Sequence, residues 1–340
     1  MHITKKKISA SILALAIGVA ISPLALAEKS EGETPVEEQE LAMKYQEMPE
    51  AAKVFVAYLE DLDKRYPDSA EVDIGAFMET EGETLALHYC AANGIDGACA
   101  PVDAKDGTTT LAPVNTGAYA RGVSARGSNW WQWLYNHSFN VGVIPETNSC
   151  PAGTTWTQIH MDDEDRRNAN SRGGWIGAIS SGSNTTYRFC KLDPITSLNF
   201  RPLSKAGDQY DYSLVNMGVF CPSGARRVVR VQENEIWRNA NSSSGDVFPN
   251  FRIYNTWFNF YCHFDGARNS VLGHMNDFPR LAMPYGVFAS RDMPSNYALA
   301  KGWVAQDDED FLNWNAWWFG SGDTVMWGGR NTHRSTAKVK

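Results

Sequence analysis

Apolar residues follow a helical period between residues 37 and 66. The side chains that would form one helix face are Val54, Phe55, Tyr58, Leu59 and Leu62. Acidic residues and lysines stand between them, as on the solvent face of an amphipathic helix. Proline favours the first position of a helix, so the pattern predicts two short helices, of which the second begins at Pro49.

The pattern changes after Gly127, where short runs of β-branched and aromatic residues replace the helical period. Examples are the stretches TTYRFC, RRVVRV, YSLVNMGVF and FRIYNTWFNFYC. Glycine, asparagine, serine and proline bound these runs, which is typical of strands joined by turns. All twelve tryptophans also lie in this region, between Trp130 and Trp327. We therefore expect antiparallel β-structure in this part of the chain.

The β-rich region contains an internal repeat. The stretch CPAGTTWTQIHMDDEDRRNANSRGG from Cys150 aligns without gaps with CPSGARRVVRVQENEIWRNANSSSG from Cys221. Over the 40 positions from Cys150 to Phe189, 13 residues are identical. Similar composition alone does not give such a run, so the two segments are copies of one structural unit.

A third and weaker copy follows. DDEDFLNWNA from Asp307 aligns with DDEDRRNANS from Asp162. It follows the second copy at a period of 74 residues, against 71 between the first and second copies. This copy contains no cysteine. The predicted fold is therefore mainly β, with three tandem antiparallel β modules of about 70 residues after a small helical N-terminal region.

These patterns divide the chain into six segments. We expect a signal peptide at residues 1–27, an acidic helical region at 28–107, a linker at 108–128, and β repeats at 129–215, 216–283 and 284–340.

The first 27 residues have the features of an export signal. Lys5, Lys6 and Lys7 precede an apolar stretch, and Ala25-Leu26-Ala27 resembles a cleavage site. Loss of the three lysines would change the formal charge from −8 to −11, which does not favour nucleic acid as a partner. No later segment approaches the roughly 18 apolar residues of a membrane span. We expect a secreted protein, periplasmic or extracellular, and the sequence leaves its oligomeric state open.

Six cysteines in an exported chain predict disulfides. Their spacing favours the pairs Cys90–Cys99, Cys150–Cys190 and Cys221–Cys262. The third repeat would then lack a bridge, and its tryptophans at positions 303, 314, 317, 318 and 327 offer an aromatic core in its place.

The acidic segment that begins the repeated motif is a candidate metal site. Asp162, Asp163, Glu164 and Asp165 present carboxylate oxygens on short stems, which suits calcium as a possible cofactor. The spacing is not that of an EF-hand. In the second copy the acids are fewer, which weakens the case for a metal site shared by the repeats.

The asparagines of the repeated motif allow two interpretations. In the first, they form Asx turns that fix a long loop. In the second, they bind sugar hydroxyls while neighbouring indole rings contact sugar faces. The candidate ligand-binding residues are Asn168, Asn170, Trp175, Trp237, Asn239, Asn241, Asn313, Asn315 and Trp317.

Common catalytic signatures such as GxSxG, HExxH and the Walker loop are missing from the chain. We therefore assign no catalytic residue and favour a binding protein for glycans or another polar cell-surface ligand. A secreted polysaccharide hydrolase that uses paired carboxylates is the alternative, followed by a toxin or a structural surface protein.

Overall fold

The computed structural model describes the β-rich part of the chain almost throughout and the N-terminal part in pieces. The described residues are 50–68, 70, 72–73, 76–77, 80–81, 84–85, 88–89, 92, 102–103, 109–110, 137–164, 168–235, 239–253, 255–308, 315–320, 322 and 324–340. The predicted signal peptide, the first predicted helix, the Cys90–Cys99 loop and most of the linker lie outside them.

The N-terminal elements are α1 (Glu50–Arg65) and the short paired strands β1 (Val102–Asp103) and β2 (Thr109–Thr110). The first repeat contains β3 (Val141–Pro145), β4 (Thr155–Met161), β5 (Ser171–Gly174), β6 (Ser180–Ser181) and β7 (Thr185–Lys191). The helix α2 (Pro194–Ser197) and a 3-10 turn (Asp208–Tyr210) lead to the second repeat.

The second repeat contains β8 (Tyr212–Asn216), β9 (Arg226–Glu233), β10 (Ser242–Ser244), β11 (Phe251–Ile253) and β12 (Thr256–Phe264). The third contains β13 (Tyr285–Ala289), β14 (Ala298–Gln306), β15 (Ala316–Trp318), β16 (Met326–Trp327) and β17 (Thr332–Val339). We call these three sets of five strands the first, second and third units.

The helix α1 begins directly after Pro49, as the sequence predicts. Its buried face carries Phe55, Leu59 and Leu62, each fully shielded from solvent. Phe55 packs edge-on against Phe251 of the second unit, with ring centroids 5.6 Å apart. Val54, which the pattern also assigns to the apolar face, is 39% exposed. None of the described helices is both long and apolar enough to cross a lipid bilayer.

Burial of α1 explains why β12 is apolar on both faces. All nine residues of this strand are buried. Phe258 and Phe260 contact the core that contains α1, whereas Trp257 and Tyr261 face the core on the other side of the sheet. Alternate residues of a strand point to opposite faces, so a strand covered on both sides reads as a continuous apolar run.

Within each unit, the second strand pairs with the last. The pairs are β4 with β7, β9 with β12, and β14 with β17, all antiparallel. The first strand of each unit also pairs with the last strand. In the first unit this register places Val143 opposite Cys190, and in the second it places Leu214 opposite Cys262.

Two disulfides lie at these positions. Cys150 is bonded to Cys190 and Cys221 to Cys262, with Cα atoms 5.6 and 5.3 Å apart. Both pairings were predicted from the spacing and are confirmed. Each bond closes a loop of 40 or 41 residues, which contributes about 4 kcal/mol in the chain-entropy model.

The third unit has buried packing where the other two units have a bridge, and of the predicted tryptophans Trp317 and Trp318 pack against core clusters. Ala337 lies opposite Val287 in the register that holds the second cysteine in the other two units. It is fully buried in a cluster that includes Met293 and Tyr297. Trp303, in contrast, is 42% exposed.

The three units share one sheet of fifteen strands. The third strand of each unit pairs with the second strand of a neighbour: β5 with β14, β10 with β4, and β15 with β9. The three first strands, β3, β8 and β13, also pair with one another. In both sets, each unit pairs with each of the other two, which closes a cycle of three units. No described unit therefore completes its sheet with its own strands alone.

The chain is thus mainly β with a small N-terminal helix, as predicted. The sequence also predicts three tandem modules, which is a more detailed claim than the fold class. Because strands pair between units, each described unit completes its sheet with strands of its neighbours. The expected boundary between residues 215 and 216 falls inside β8, which belongs to the second unit.

The packing of α1 predicts that Phe55→Ala destabilises the protein strongly. Loss of a fully buried phenylalanine costs about 3–5 kcal/mol, because contacts are lost and a cavity remains. Val54→Ala, one position away and exposed, should change stability by no more than about 0.5 kcal/mol. Urea unfolding of both variants measures the difference. Equal effects would show that α1 does not pack on the second unit.

Candidate functional site

The acidic and asparagine-rich segments lie where the second strands of the units end. In the first unit, the amide N–H of Ala169 donates to Asp307 Oδ2 at 2.7 Å, and Asn170 Oδ1 accepts from the N–H of Asp307 at 2.6 Å. Asp307 belongs to the third unit. The asparagine motif of the first unit therefore contacts the acid that directly follows the second strand of the third unit.

The same contacts recur around the cycle. Ala240 N–H donates to Asp162 Oδ2 at 2.6 Å, and Asn241 Oδ1 accepts from the N–H of Asp162 at 2.8 Å. Asn315 Oδ1 accepts from the N–H of Glu233 at 2.9 Å. We call these three contacts the inter-unit clamps.

Asx turns shape the two clamps whose asparagine pairs are described. Asn168 Oδ1 accepts from Asn170 N–H, and Asn239 Oδ1 accepts from Asn241 N–H, both at 3.0 Å. The turn interpretation is thus present in the structure. A ligand role for the asparagines stays a prediction, as it does for Asn313 and Trp237, which lie outside the described residues.

A buried polar network lies behind the clamps. Gln306 Oε1 accepts from Gln232 Nε2, Tyr187 Oη and Arg334 Nη1 at 3.0–3.1 Å. Arg334 is fully buried, and its guanidinium carbon lies 4.7 Å from the centre of the Tyr187 ring. All three units contribute to this network, so its hydrogen bonds link them as well.

The network also contains buried charges. Asp308 lies 3.7 Å from Arg230, and both side chains are fully buried. Asp163 accepts hydrogen bonds from Thr185, Gln306 and Asn170 at 2.6–2.7 Å. Burial nevertheless raises the pKa of Asp163 to about 7, because desolvation outweighs these bonds.

Two of the four carboxylates predicted to hold calcium, those of Asp162 and Asp163, accept hydrogen bonds in these contacts. Asp162 accepts from Ala240 N–H and from Asn184 Nδ2, and Asp163 accepts from the three donors named above. The backbone of Glu164 donates to the carbonyl of Asp307. Asp165 lies outside the described residues, so the calcium site stays a prediction.

Two tryptophans predicted to contact ligand have structural contacts. Trp175 is half-buried, and its ring lies against Gly286, where a Cβ atom would come within 2.1 Å of it. Trp317 donates from Nε1 to the carbonyl of Gly328 at 2.9 Å and stacks on Arg230. Neither ring is among the exposed large apolar side chains of the described residues.

A cleft of about 310 Å³ lies between α1 and the second unit. Four basic residues line it, namely Lys64, Arg226, Arg227 and Arg268, against the two acids Glu60 and Asp63. The cleft therefore carries a positive balance on a chain whose formal charge is −8.

Arg227 occupies the most buried position of the four. Its Nε and Nη2 atoms each donate to Asp63 at 2.8 Å, and Nη2 also donates to the carbonyl of Val219. Only 1% of its side chain is exposed. Its remaining nitrogen, Nη1, is buried and has no hydrogen-bond partner among the described residues. A buried, unsatisfied donor costs about 1–3 kcal/mol, so it favours any ligand that supplies an acceptor.

The other two arginines are more accessible. Arg226 and Arg268 both approach Asp265 Oδ2, at 3.6 and 3.1 Å, and their side chains are 28% and 39% exposed. Phe319 lines the same cleft with a φ angle of 62°, in the left-handed region that disfavours a bulky side chain. Strained backbone of this kind concentrates at functional sites.

Sequence reasoning missed this cleft. Asp63 and Arg227 are 164 residues apart, and no periodicity connects them. The one local indication of the cleft is the pair of adjacent arginines at 226 and 227, and the sequence pattern places both of them in a strand.

Comparison with known proteins adds one finding. Residues 124–259 match the family model described as Bacterial ApeC. The match covers less than half of the chain: it spans the first unit and most of the second, ends inside β12, and leaves out α1 and the third unit. No curated protein and no solved structure matches the chain. The cleft thus lies partly within the matched region and partly outside it.

The raised pKa of Asp163 predicts a pH-dependent stability. Between about pH 4 and pH 7 the folded protein holds a proton that the unfolded chain has lost, so its stability falls as pH rises through this window. Asp163→Asn should remove this part of the slope, on the order of 2 kcal/mol. Urea unfolding at pH 5 and pH 7.5 measures both proteins. Parallel slopes would show that Asp163 titrates at its ordinary pKa.

Proposed function

We propose that this chain is an exported binding protein that takes a polar ligand with an anionic group, such as an acidic cell-surface glycan, in the cleft between α1 and the second unit. The unsatisfied Nη1 of Arg227 carries this proposal. The two disulfides are compatible with export.

The charges of the cleft favour an anionic ligand. A guanidinium group binds carboxylate and phosphate oxygens through paired N–H donors, and such charge-assisted bonds are stronger than neutral ones. Arg227 lines the cleft, and Asp63 and the Val219 carbonyl hold its Nε and Nη2 atoms, so Nη1 is the donor that remains for a ligand. Arg226 and Arg268 supply adjustable donors nearer the solvent.

The aromatic residues of the cleft suit the rest of such a ligand. Tyr66 and Phe319 line it and are partly buried, so each leaves part of its ring available. Aromatic faces pack against the apolar faces of sugar rings, while hydroxyl groups bind polar neighbours. This combination supports a glycan over a simple inorganic anion.

The ion pairs within the cleft limit the affinity. Arg226 and Arg268 share Asp265, and a ligand must compete with that carboxylate. Surface ion pairs contribute about 0–1 kcal/mol each, so the competition is weak. We expect micromolar binding that weakens as salt concentration rises.

The hydrolase alternative has a weaker basis. The two cleft carboxylates, Glu60 and Asp63, are held by Lys64 and Arg227 respectively. Paired carboxylates that cleave glycosidic bonds need one group free to donate a proton. We therefore propose that the protein binds its ligand without cleaving it. The three related units form the scaffold of the site.

The proposal predicts that Arg268→Gln weakens binding of acidic glycans about tenfold, since one charge-assisted bond contributes about 1.5–3 kcal/mol. An array of oligosaccharides that carry a carboxylate, a sulfate or no acidic group gives the measurement, at low and high salt. Arg280→Gln is the matched control, because Arg280 is exposed and does not line the cleft.

Two results would refute this site. One is equal binding of neutral and acidic members. The other is an equal loss of binding in the Arg268 and Arg280 variants. Folding of each variant is checked by its urea midpoint.

A further inference from the structure

A cluster of three ionisable side chains lies beside the cleft, in the second unit. Asp211 precedes β8, His263 belongs to β12, and Asp265 follows β12. One ligand atom from each lies within 4.8 Å of the others. We propose that Asp211, His263 and Asp265 form a binding site for a divalent transition-metal ion, with zinc as the best match. This site is distinct from the predicted calcium site and does not depend on the glycan proposal.

The fold fixes all three ligands. The pairing of β8 with β12 places His263 opposite Ser213. The amide N–H of Gly266 donates to Asp211 Oδ1 at 2.8 Å, which ties Asp211 to the turn that carries Asp265. The hydroxyl of Thr324 donates to Asp211 Oδ2 at 2.9 Å. Each oxygen of this carboxylate thus keeps a free lone pair for a metal ion.

The second ring nitrogen of His263 has the partner that a metal ligand needs. Its Nδ1 lies 2.8 Å from Ser213 Oγ, a hydroxyl oxygen that can accept a hydrogen bond from the ring N–H. Nε2 lies 3.0 Å from Asp265 Oδ1, so Nε2–H donates to that oxygen. A metal ion at Nε2 requires the other tautomer, in which the proton is on Nδ1 and is donated to Ser213 Oγ. A hydrogen bond on the far nitrogen sets the tautomer in most histidine–metal sites.

Charge balance gives a further reason for a cation. Asp211 is 7% exposed, and no lysine or arginine lies within ion-pair distance of it among the described residues. Its hydrogen bonds to Gly266 and Thr324 offset only part of the desolvation cost of this buried carboxylate. A divalent ion between Asp211 and Asp265 would offset that cost.

The other two units place an ammonium group where the second unit places an imidazole. In their registers Lys191 lies opposite Gly142 and Lys338 opposite Gly286, as His263 lies opposite Ser213. Lys191 binds Asp246, and Lys338 binds Glu146. The first and third units therefore pair a lysine with one acid at this position, whereas the second unit has a histidine beside two aspartates.

The donor set selects the kind of metal. One imidazole nitrogen and two carboxylate oxygens match zinc, with the fourth position open to water. Calcium prefers six to eight oxygen ligands, so the imidazole adds little to its binding. Arg226 and Arg268 contact Asp265 at Oδ2 and leave Oδ1 for the metal, although their charge lowers its affinity. On binding, the hydrogen bond between His263 and Asp265 is replaced by two bonds to the metal.

Titration of the chelator-treated full chain with zinc chloride tests the site by calorimetry. We expect one zinc ion per chain at a micromolar dissociation constant and at least tenfold weaker binding of calcium. Cobalt(II) in place of zinc should give visible absorption from a nitrogen-ligated site. His263→Gln should abolish this signal and weaken zinc binding at least tenfold.

Asp265→Asn gives a second test, because its side chain is 40% exposed and the change is small. It should also weaken zinc binding at least tenfold. His274→Gln is the control, since His274 is exposed and lies outside the cluster. The proposal fails if the unmodified chain binds no zinc, if Asp265→Asn binds it as tightly, or if calcium binds equally well. None of these results depends on any glycan.

Discussion

The arrangement of the three units depends on satisfying the polar groups at the ends of their second strands. Asp162, Glu233 and Asp307 are buried there, and each backbone N–H needs a partner. The asparagine motif of a neighbouring unit supplies it. Since unpaired buried polar groups cost about 1–3 kcal/mol each, a unit separated from its neighbours would lose several such contacts. The strand exchange follows the same rule, because it leaves fewer open edges.

The three units are similar in pairing but not in environment. Among the described residues, α1 shares a core with β9, β11 and β12 of the second unit, and the cleft around Arg227 lies beside this contact. The same unit carries His263 where the others carry lysine. A repeated scaffold therefore fixes the backbone, while the differences between copies supply the chemistry. Asp265 belongs to both features, since it contacts His263 on one side and the cleft arginines on the other.

Local signals in the sequence were enough for several elements. The period of apolar residues identifies α1 and its start at Pro49, because burial of one helix face imposes that spacing. The repeat identifies the units, and the joint absence of both cysteines from the third copy points to the pairs Cys150–Cys190 and Cys221–Cys262. The Asx turns of the asparagine motif also follow from local chemistry, since each joins residues two apart.

The tertiary structure alone decided which unit each motif contacts. Strand exchange and the clamps join residues about 80 or 140 positions apart, and no period in the sequence encodes such pairs. The cleft and the metal cluster belong to the same class, because Asp63 meets Arg227 and Asp211 meets His263 only when distant strands pair. Sequence by itself determined the building block and its bridges. The way the units assemble depends on packing between distant parts of the chain. The position of every candidate site depends on the same packing.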